Sequence, residues 1–450
     1  MSATRPAPSN TLHRQILHLA IPAFGALVAE PLFVMADSAM IGHLGTDKLA
    51  GLTLGSTIIQ TVIGLMVFLS YSTTPAVARA YGKNNLAQAY AAGRNALWVA
   101  LGLGALLGIL GWVFSQQLFT ALGGDTATTI NAQEYLHPSL LGLPAMLGVL
   151  AIVGVLRGLQ DTKTPLYVAT VGAIVNIVLD WVMIYLLGWG LAGSAIATAT
   201  VQWGMFAVLS VSLWRGITRY GVQLSPELSG LRHVFALGSW LMLRSLSMRV
   251  ALLGTVIVAT HQGQTALATY QLTMSFFSFL AFALDSLAIA AQALLGKELG
   301  AQNLNTAQGK NAVLDLKNAL VRWSLYFGVI TGIFCALIGF TGSWIFSSDP
   351  HVQHLFALSL LVVGLTQPLA AYVFVLDGVL MGAEDMRYLG IASLIVLGAY
   401  VPSLLLVDVL TPLMGQSAAF IALWLAYSTI FMGARAVTLG RRARTEIWVR

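Results

Sequence analysis

Charge is what this chain has least of. Asp, Glu, Lys and Arg make up only 9% of its 450 residues, against roughly a quarter in soluble proteins. So few charges cannot cover a water-facing surface, which excludes an ordinary soluble domain. A single cysteine, Cys335, excludes an internal disulfide. It lies in an apolar run and carries no redox message. The local signatures of catalysis are missing too: no HExxH metal pair, no GxSxG elbow and no GxxxxGK[ST] phosphate loop occurs. Gly102, Gly104 and Gly108 imitate a dinucleotide fingerprint, but they sit in an apolar helical pattern where small residues serve close helix packing. The histidines are scattered, with His43 and His261 at helix ends. No enzyme and no cofactor is expected. Polar connectors around 78–95, 215–233 and 295–318 are too short for a soluble module, which disfavours a receptor or scaffold. No filter-like loop points to a channel. A cleavable leader is not expected either, because the polar MSATRPAPSN tail runs straight into a long apolar segment.

What fills the chain is hydrophobic: 57% of residues and a mean hydropathy of +0.81. Runs of 20 or so apolar residues read as membrane helices. They fall near 16–41, 49–76, 95–121, 135–158, 165–187 and 190–214, then 234–260, 266–293, 319–346, 354–380, 388–409 and 413–438. Sorted by connector, 20 of the 23 lysines and arginines fall on one side. Lys48 stands on the other, and Arg244 and Arg249 lie inside the seventh span. The positive-inside rule then places both termini in the cytoplasm. The basic pI of about 9.5 is a topology signal, and no nucleic acid partner is expected.

The two halves resemble each other. His43-Leu44-Gly45 with Leu49-Ala50 recurs as His261-Gln262-Gly263 with Leu267-Ala268. Gly154, Leu156, Gly158 and Asp161 recur as Gly378, Leu380, Gly382 and Asp385. Six spans per half give both copies one orientation, so the expected fold is all-α and polytopic. Its twelve transmembrane helices form two pseudo-symmetric six-helix bundles, parallel repeats around a central cleft. The expected domains are an N-terminal lobe, 14–214, a cytoplasmic linker, 215–233, a C-terminal lobe, 234–440, and a basic cytoplasmic tail, 441–450.

The apolar first span carries two acids, Glu30 and Asp37, seven residues apart and so on nearly one face. A carboxylate at that depth costs roughly 2.5–3.5 kcal/mol on insertion scales. Pro22 and Pro31 free backbone carbonyls and permit bending. On the fifth span Asn176 and Asp180 are spaced i,i+4, as are Thr198 and Gln202 on the sixth. The N-terminal half buries Glu30, Asp37 and Asp180 with no basic residue at comparable depth, Arg157 being at a helix end. The C-terminal half buries Asp285 and Asp377 with Arg244 and Arg249, so its charges can balance. Unpaired acids favour taking up a proton or a cation. For Asn176, Thr198 and Gln202, plain hydrogen bonding between helices and a functional role both stay open.

The segment from Pro22 through ADSAMIGHLGTDKLAG, with LRGLQDTKTP and NIVLDWVMIY, resembles the multidrug and toxic compound extrusion (MATE) family. Aspartates in the first and fifth spans resemble its DinF-like branch. The resemblance covers about 14 to 440. It implies a secondary antiporter that exports organic, often cationic, compounds in exchange for H⁺ by alternating access. Coupling would fall to Asp37, Asp180, Asn176 and Thr198, with Glu30 beside them and bending at Pro22. Phe33, Met35, Met183 and Gln202 are expected in a loosely specified substrate cavity. Where some relatives place a Tyr one turn before the first-span acid, this chain has Phe33. No metal is expected, although Na⁺ in place of H⁺ would use Asp37, Asn176, Asp180 and Thr198. A lipid-linked precursor flippase is the further alternative. The expected setting is a bacterial inner membrane, with small organic molecules and the lipid bilayer as partners and a monomer as the working unit.

Overall fold

Helices dominate because backbone groups within a bilayer have no water to bond and must pair inside their own segment. The structure, a computed structural model, describes residues 9–123 and 126–449; the side chains of Glu30 and Phe33 also lie outside the described residues. Twelve helices among these are long and apolar enough to cross a membrane. In order they are α1 (Leu12–Gly42), α2 (Asp47–Gly82), α3 (Leu86–Val113), α4 (Thr128–Gly158), α5 (Lys163–Leu186) and α6 (Gly190–Arg219). There follow α7 (Leu228–His261), α8 (Gln264–Ala301), α9 (Ala307–Thr341), α10 (Pro350–Gly382), α11 (Met386–Leu413) and α12 (Gln416–Arg444). Several run past the expected apolar cores, so the non-helical part of the middle connector is only 220–227. Polar residues at a helix end keep the backbone bonded while leaving the apolar layer.

The chain divides into two compact units, Met1–Gly238 and Ser239–Arg450. Within the first, α4 is the hub: 78% of its apolar window is buried, against 22% for α3 and for α5. It packs on α2, α3 and α6, while α1 lies chiefly against α5. Small residues explain the hub. A methyl on Gly154 would stand 2.8 Å from the Ser70 carbonyl oxygen, and one on Gly158 would stand 2.7 Å from that of Thr74. Only glycine lets the backbones of α2 and α4 meet so closely. The Thr74 hydroxyl then donates to the Gly154 carbonyl at 3.1 Å.

In the second unit α10 occupies the same role, packing on α8, α9 and α12. Gly378 and Gly382 sit against the carbonyls of Ala288 and Gln292 on α8. Both hub helices end alike. Gln160 and Glu384 adopt left-handed backbone conformations, φ 67° and 60°. The following Asp161 and Asp385 amides donate back to Leu156 and Leu380, at 2.8 and 3.0 Å. A left-handed non-glycine residue costs roughly 1–2 kcal/mol. Its presence at matching places in both halves is a backbone signature of the repeat.

Candidate functional site

Helix α1 continues through both of its prolines. Proline lacks an N–H, so Pro22 leaves the carbonyl of His18 without its helical donor. The buried Thr162 hydroxyl, at the start of α5, points to that carbonyl at 3.4 Å. Pro31 does the same to Leu27, which lines the cavity described next.

Further along α1, Asp37 is 5% exposed. Ser194 on α6 donates a hydrogen bond of 2.5 Å to its Oδ1. Ser194 stands one turn before Thr198, and Gln202 one turn after, so α6 presents one polar face. Asn176 Nδ2 donates to the Thr198 hydroxyl at 3.3 Å, which brings α5 into the same group. Asp180 is buried one turn on, within electrostatic reach of Asp37. Immediately after it the backbone widens into a π turn, Val182–Leu186, a distortion common at functional sites. Tyr185 on that turn donates to the Met40 carbonyl at 2.8 Å, tying α5 to α1.

Part of this group borders a cavity of about 270 Å³ within the first unit. Asp37, Asn176, Thr198 and Gln202 line it, together with apolar side chains such as Ile59, Ile63 and Val149. Asp180 is not in the lining but sits behind it. Two buried acceptors, Asn176 Oδ1 and Asp180 Oδ1, have no hydrogen-bond partner among the described residues. An unsatisfied buried acceptor is costly. A proton on the Asp180 carboxyl, or a small cation between the oxygens, would supply what is missing.

Several expectations need correction. Met35 is 68% exposed, and neither it nor Met183 is in the lining; Met146 and Met205 are the cavity's sulfur-bearing residues. The roles expected of Glu30 and Phe33 fall on side chains outside the described residues. Arg157, expected to sit merely at a helix end, is 8% exposed and lines the same cavity. It donates to the Ser70 hydroxyl at 3.3 Å, where α4 packs on α2. Tyr135 on α4 lines the cavity within reach of both Asp37 and Asp180, so a phenol is present despite Phe33. Ser194, also missing from the sequence expectations, was readable in advance from its i,i+4 spacing to Thr198.

The second unit treats its buried acid differently. Asp377 on α10 accepts from Arg244 on α7 at 2.5 Å and from Arg435 on α12. Arg249, expected in this balance, is exposed. Arg435 takes its place although it stands near the end of the last span. The space beside this cluster is about 20 Å³, room for a water molecule.

The comparisons with known proteins agree with this architecture. The family pattern described as MatE matches residues 22–182 and 241–406. The chain is 29% identical over 449 residues to the DNA damage-inducible protein F of Escherichia coli (strain K12), covering 97% of this chain and 94% of that one. It is 25% identical to the probable multidrug resistance protein NorM of Thermotoga maritima, covering 83% and 81%. Among solved structures, the Vibrio cholerae MATE transporter VcmN in the bent form superposes with a TM-score of 0.87 at 20% identity, over 98% of this chain and 99% of that one. The chain therefore belongs to the MATE family of multidrug and toxic compound efflux transporters, a multi-pass membrane protein and not an enzyme.

Proposed function

We propose that this chain exports amphipathic organic cations in exchange for H⁺, through the cavity of its first unit. The observation that carries the reading is Asp37: a buried carboxylate on the cavity wall whose donor among the described residues is the neutral Ser194 hydroxyl. Beside it lie two buried acceptors that lack a donor. A carboxylate held this way can be neutralised by a proton or by a cationic substrate, and the two compete for it. Competition couples their fluxes, because each ligand favours a different state of the carrier. The cavity volume is near the lower end of the roughly 300–1,000 Å³ of ligand pockets. Its mixture of apolar walls and few polar groups suits a small, greasy cation.

In this scheme Asp37 and Asp180 take up one proton from outside between them, which removes one of the pair's two negative charges. Loss of charge rearranges the hydrogen bonds through Ser194, Asn176 and Thr198. Helix α1 then bends at Pro22, where the Thr162 hydroxyl reaches the His18 carbonyl, and the cavity shrinks to expel its occupant. Release of the proton to the cytoplasm reopens it. The protein works as a monomer in a bacterial inner membrane, with both termini cytoplasmic. The oxygens of Asp37, Asn176, Asp180 and Thr198 would also suit Na⁺. A flippase for a pyrophosphate-linked precursor is less well supported, because Arg157 is the single basic residue on the cavity wall among the described residues.

Proteoliposomes separate these readings. Efflux of an ethidium-like cation is followed under an imposed pH gradient and then under an imposed Na⁺ gradient, for wild type and Asp37→Asn. The proposal expects efflux with the pH gradient alone and none in the folded variant. Efflux driven by Na⁺ alone would keep the site and change the ion; a fully active variant would remove Asp37 from the mechanism.

A further inference from the structure

A second large cavity of the first unit lies where α3 begins and α6 ends, beside the connector 220–227. It holds about 560 Å³. Its walls are apolar, with Leu97 and Leu101 from α3 and Ala207 and Val211 from α6. At its mouth stand Trp98 and Trp214, 49% and 54% exposed, with Arg94 and Arg215. Tryptophan and arginine at the end of apolar walls mark the level of lipid headgroups.

The two arginines differ. Arg94 is 3% exposed and engaged: it donates to the Gln223 carbonyl at 2.6 Å and to Glu227 at 3.0 Å. Trp98 Nε1 donates to the Leu224 carbonyl at 2.9 Å, so the connector is fastened across the mouth. Arg215, by contrast, is exposed, with Arg219 one turn further on. Arg94 is matched by Glu227, so the exposed Arg215 leaves this mouth positive. It would repel a cationic substrate and attract an anion.

Deeper in the groove, the Ser210 hydroxyl oxygen is shielded from solvent and has no hydrogen-bond partner among the described residues. Five residues separate it from Arg215, about 7.5 Å along the helix axis. A glycerophospholipid has this order of parts: a phosphate at the surface, ester carbonyls one step below, acyl chains beyond. We propose that the groove between α3 and α6 binds an anionic glycerophospholipid of the cytoplasmic leaflet. Its phosphate rests on Arg215, an ester carbonyl accepts from Ser210, and a chain lies against Leu97, Leu101 and Val211. The bound lipid braces the segment that Arg94 and Trp98 hold.

Native mass spectrometry of the full chain tests this, with phosphatidylglycerol and phosphatidylcholine of identical acyl chains offered together. Wild type should retain phosphatidylglycerol preferentially, and Arg215→Gln should cut that preference about fivefold, as one basic residue near an anionic surface implies. Ser210→Ala, which removes only a hydroxyl, should weaken retention of both lipids without changing their ratio, and keeps the test open if Arg215→Gln does not purify. Ala207→Phe, which fills the wall, should also lower both. Equal retention of the two lipids by wild type would overturn the proposal, as would loss of neither with Ser210→Ala and Ala207→Phe.

Discussion

Two buried aspartates in this protein are held in opposite ways, and the difference decides what each can do. Asp377 accepts from two arginines, Arg244 and Arg435, so its charge is matched. Asp37 accepts from one neutral hydroxyl. A matched charge gains nothing from a proton, whereas a carboxylate held by a hydroxyl alone is relieved by one. Asp377→Asn should therefore destabilise without altering ion coupling. Breaking a buried pair costs about 3–5 kcal/mol, and the check is a clearly lowered unfolding temperature in detergent, with unchanged ion dependence in whatever folded fraction remains. Ser194→Ala should do the reverse. Loss of a hydrogen bond to a charged acceptor is worth roughly 1.5–3 kcal/mol, so coupled efflux should fall about tenfold or more, with a smaller loss of thermal stability than in Asp377→Asn. Ser194→Thr should restore most of it. Residue roles of this kind were only half legible in the sequence. Asp37, Asn176, Asp180 and Thr198 stand out because polar groups in an apolar span are costly. Arg157 and Arg435 did not, because a basic residue near a helix end counts as outside until helix packing shows it turned inward.

Among the elements, α1 and the two hub helices carry the argument. Bending of α1 at Pro22 must change the surroundings of the His18 carbonyl, which the Thr162 hydroxyl reaches in the present state. Thr162→Val keeps the shape and removes that donor, so it should shift α1 away from this form. Spin-label distances across Pro22 would register the shift, and an unchanged distance distribution would remove Thr162 from the hinge. The hubs make a second prediction. A leucine at Gly158 or Gly382 must push apart backbones whose carbonyls would stand 2.7 and 2.8 Å from even a methyl. Either substitution should abolish folded protein, seen as loss of a monodisperse peak on size exclusion. The helices themselves were legible from apolar runs, since the bilayer leaves the backbone no alternative. The π turns at Val182–Leu186 and Ala426–Phe431 were not, because a one-residue widening leaves no mark on hydrophobic periodicity. Met35 was expected in the cavity for its sulfur-bearing chemistry, although it stands two residues, about 200° around the helix, from Asp37.

At the scale of the whole chain, the repeat is written twice, once in the sequence and once in the backbone. The glycine pairs of α4 and α10 and the left-handed Gln160 and Glu384 recur at matching positions. Orientation follows from charge: the basic connectors should face the cytoplasm. With Cys335→Ser as background, a cysteine at Arg441 should react with an impermeant maleimide only from the inside, and one at Lys48 only from the outside. Labels on the opposite faces would invert the direction of every step proposed above. The central claim, that a proton and the substrate compete at Asp37, has its most direct test in weakly buffered detergent solution. Purified protein is titrated with an organic cation while free protons are followed with a pH-sensitive dye. The account predicts saturable proton release by wild type, matching the binding curve, and none by folded Asp37→Asn. Binding by wild type without proton release, or undiminished release by the variant, would contradict it.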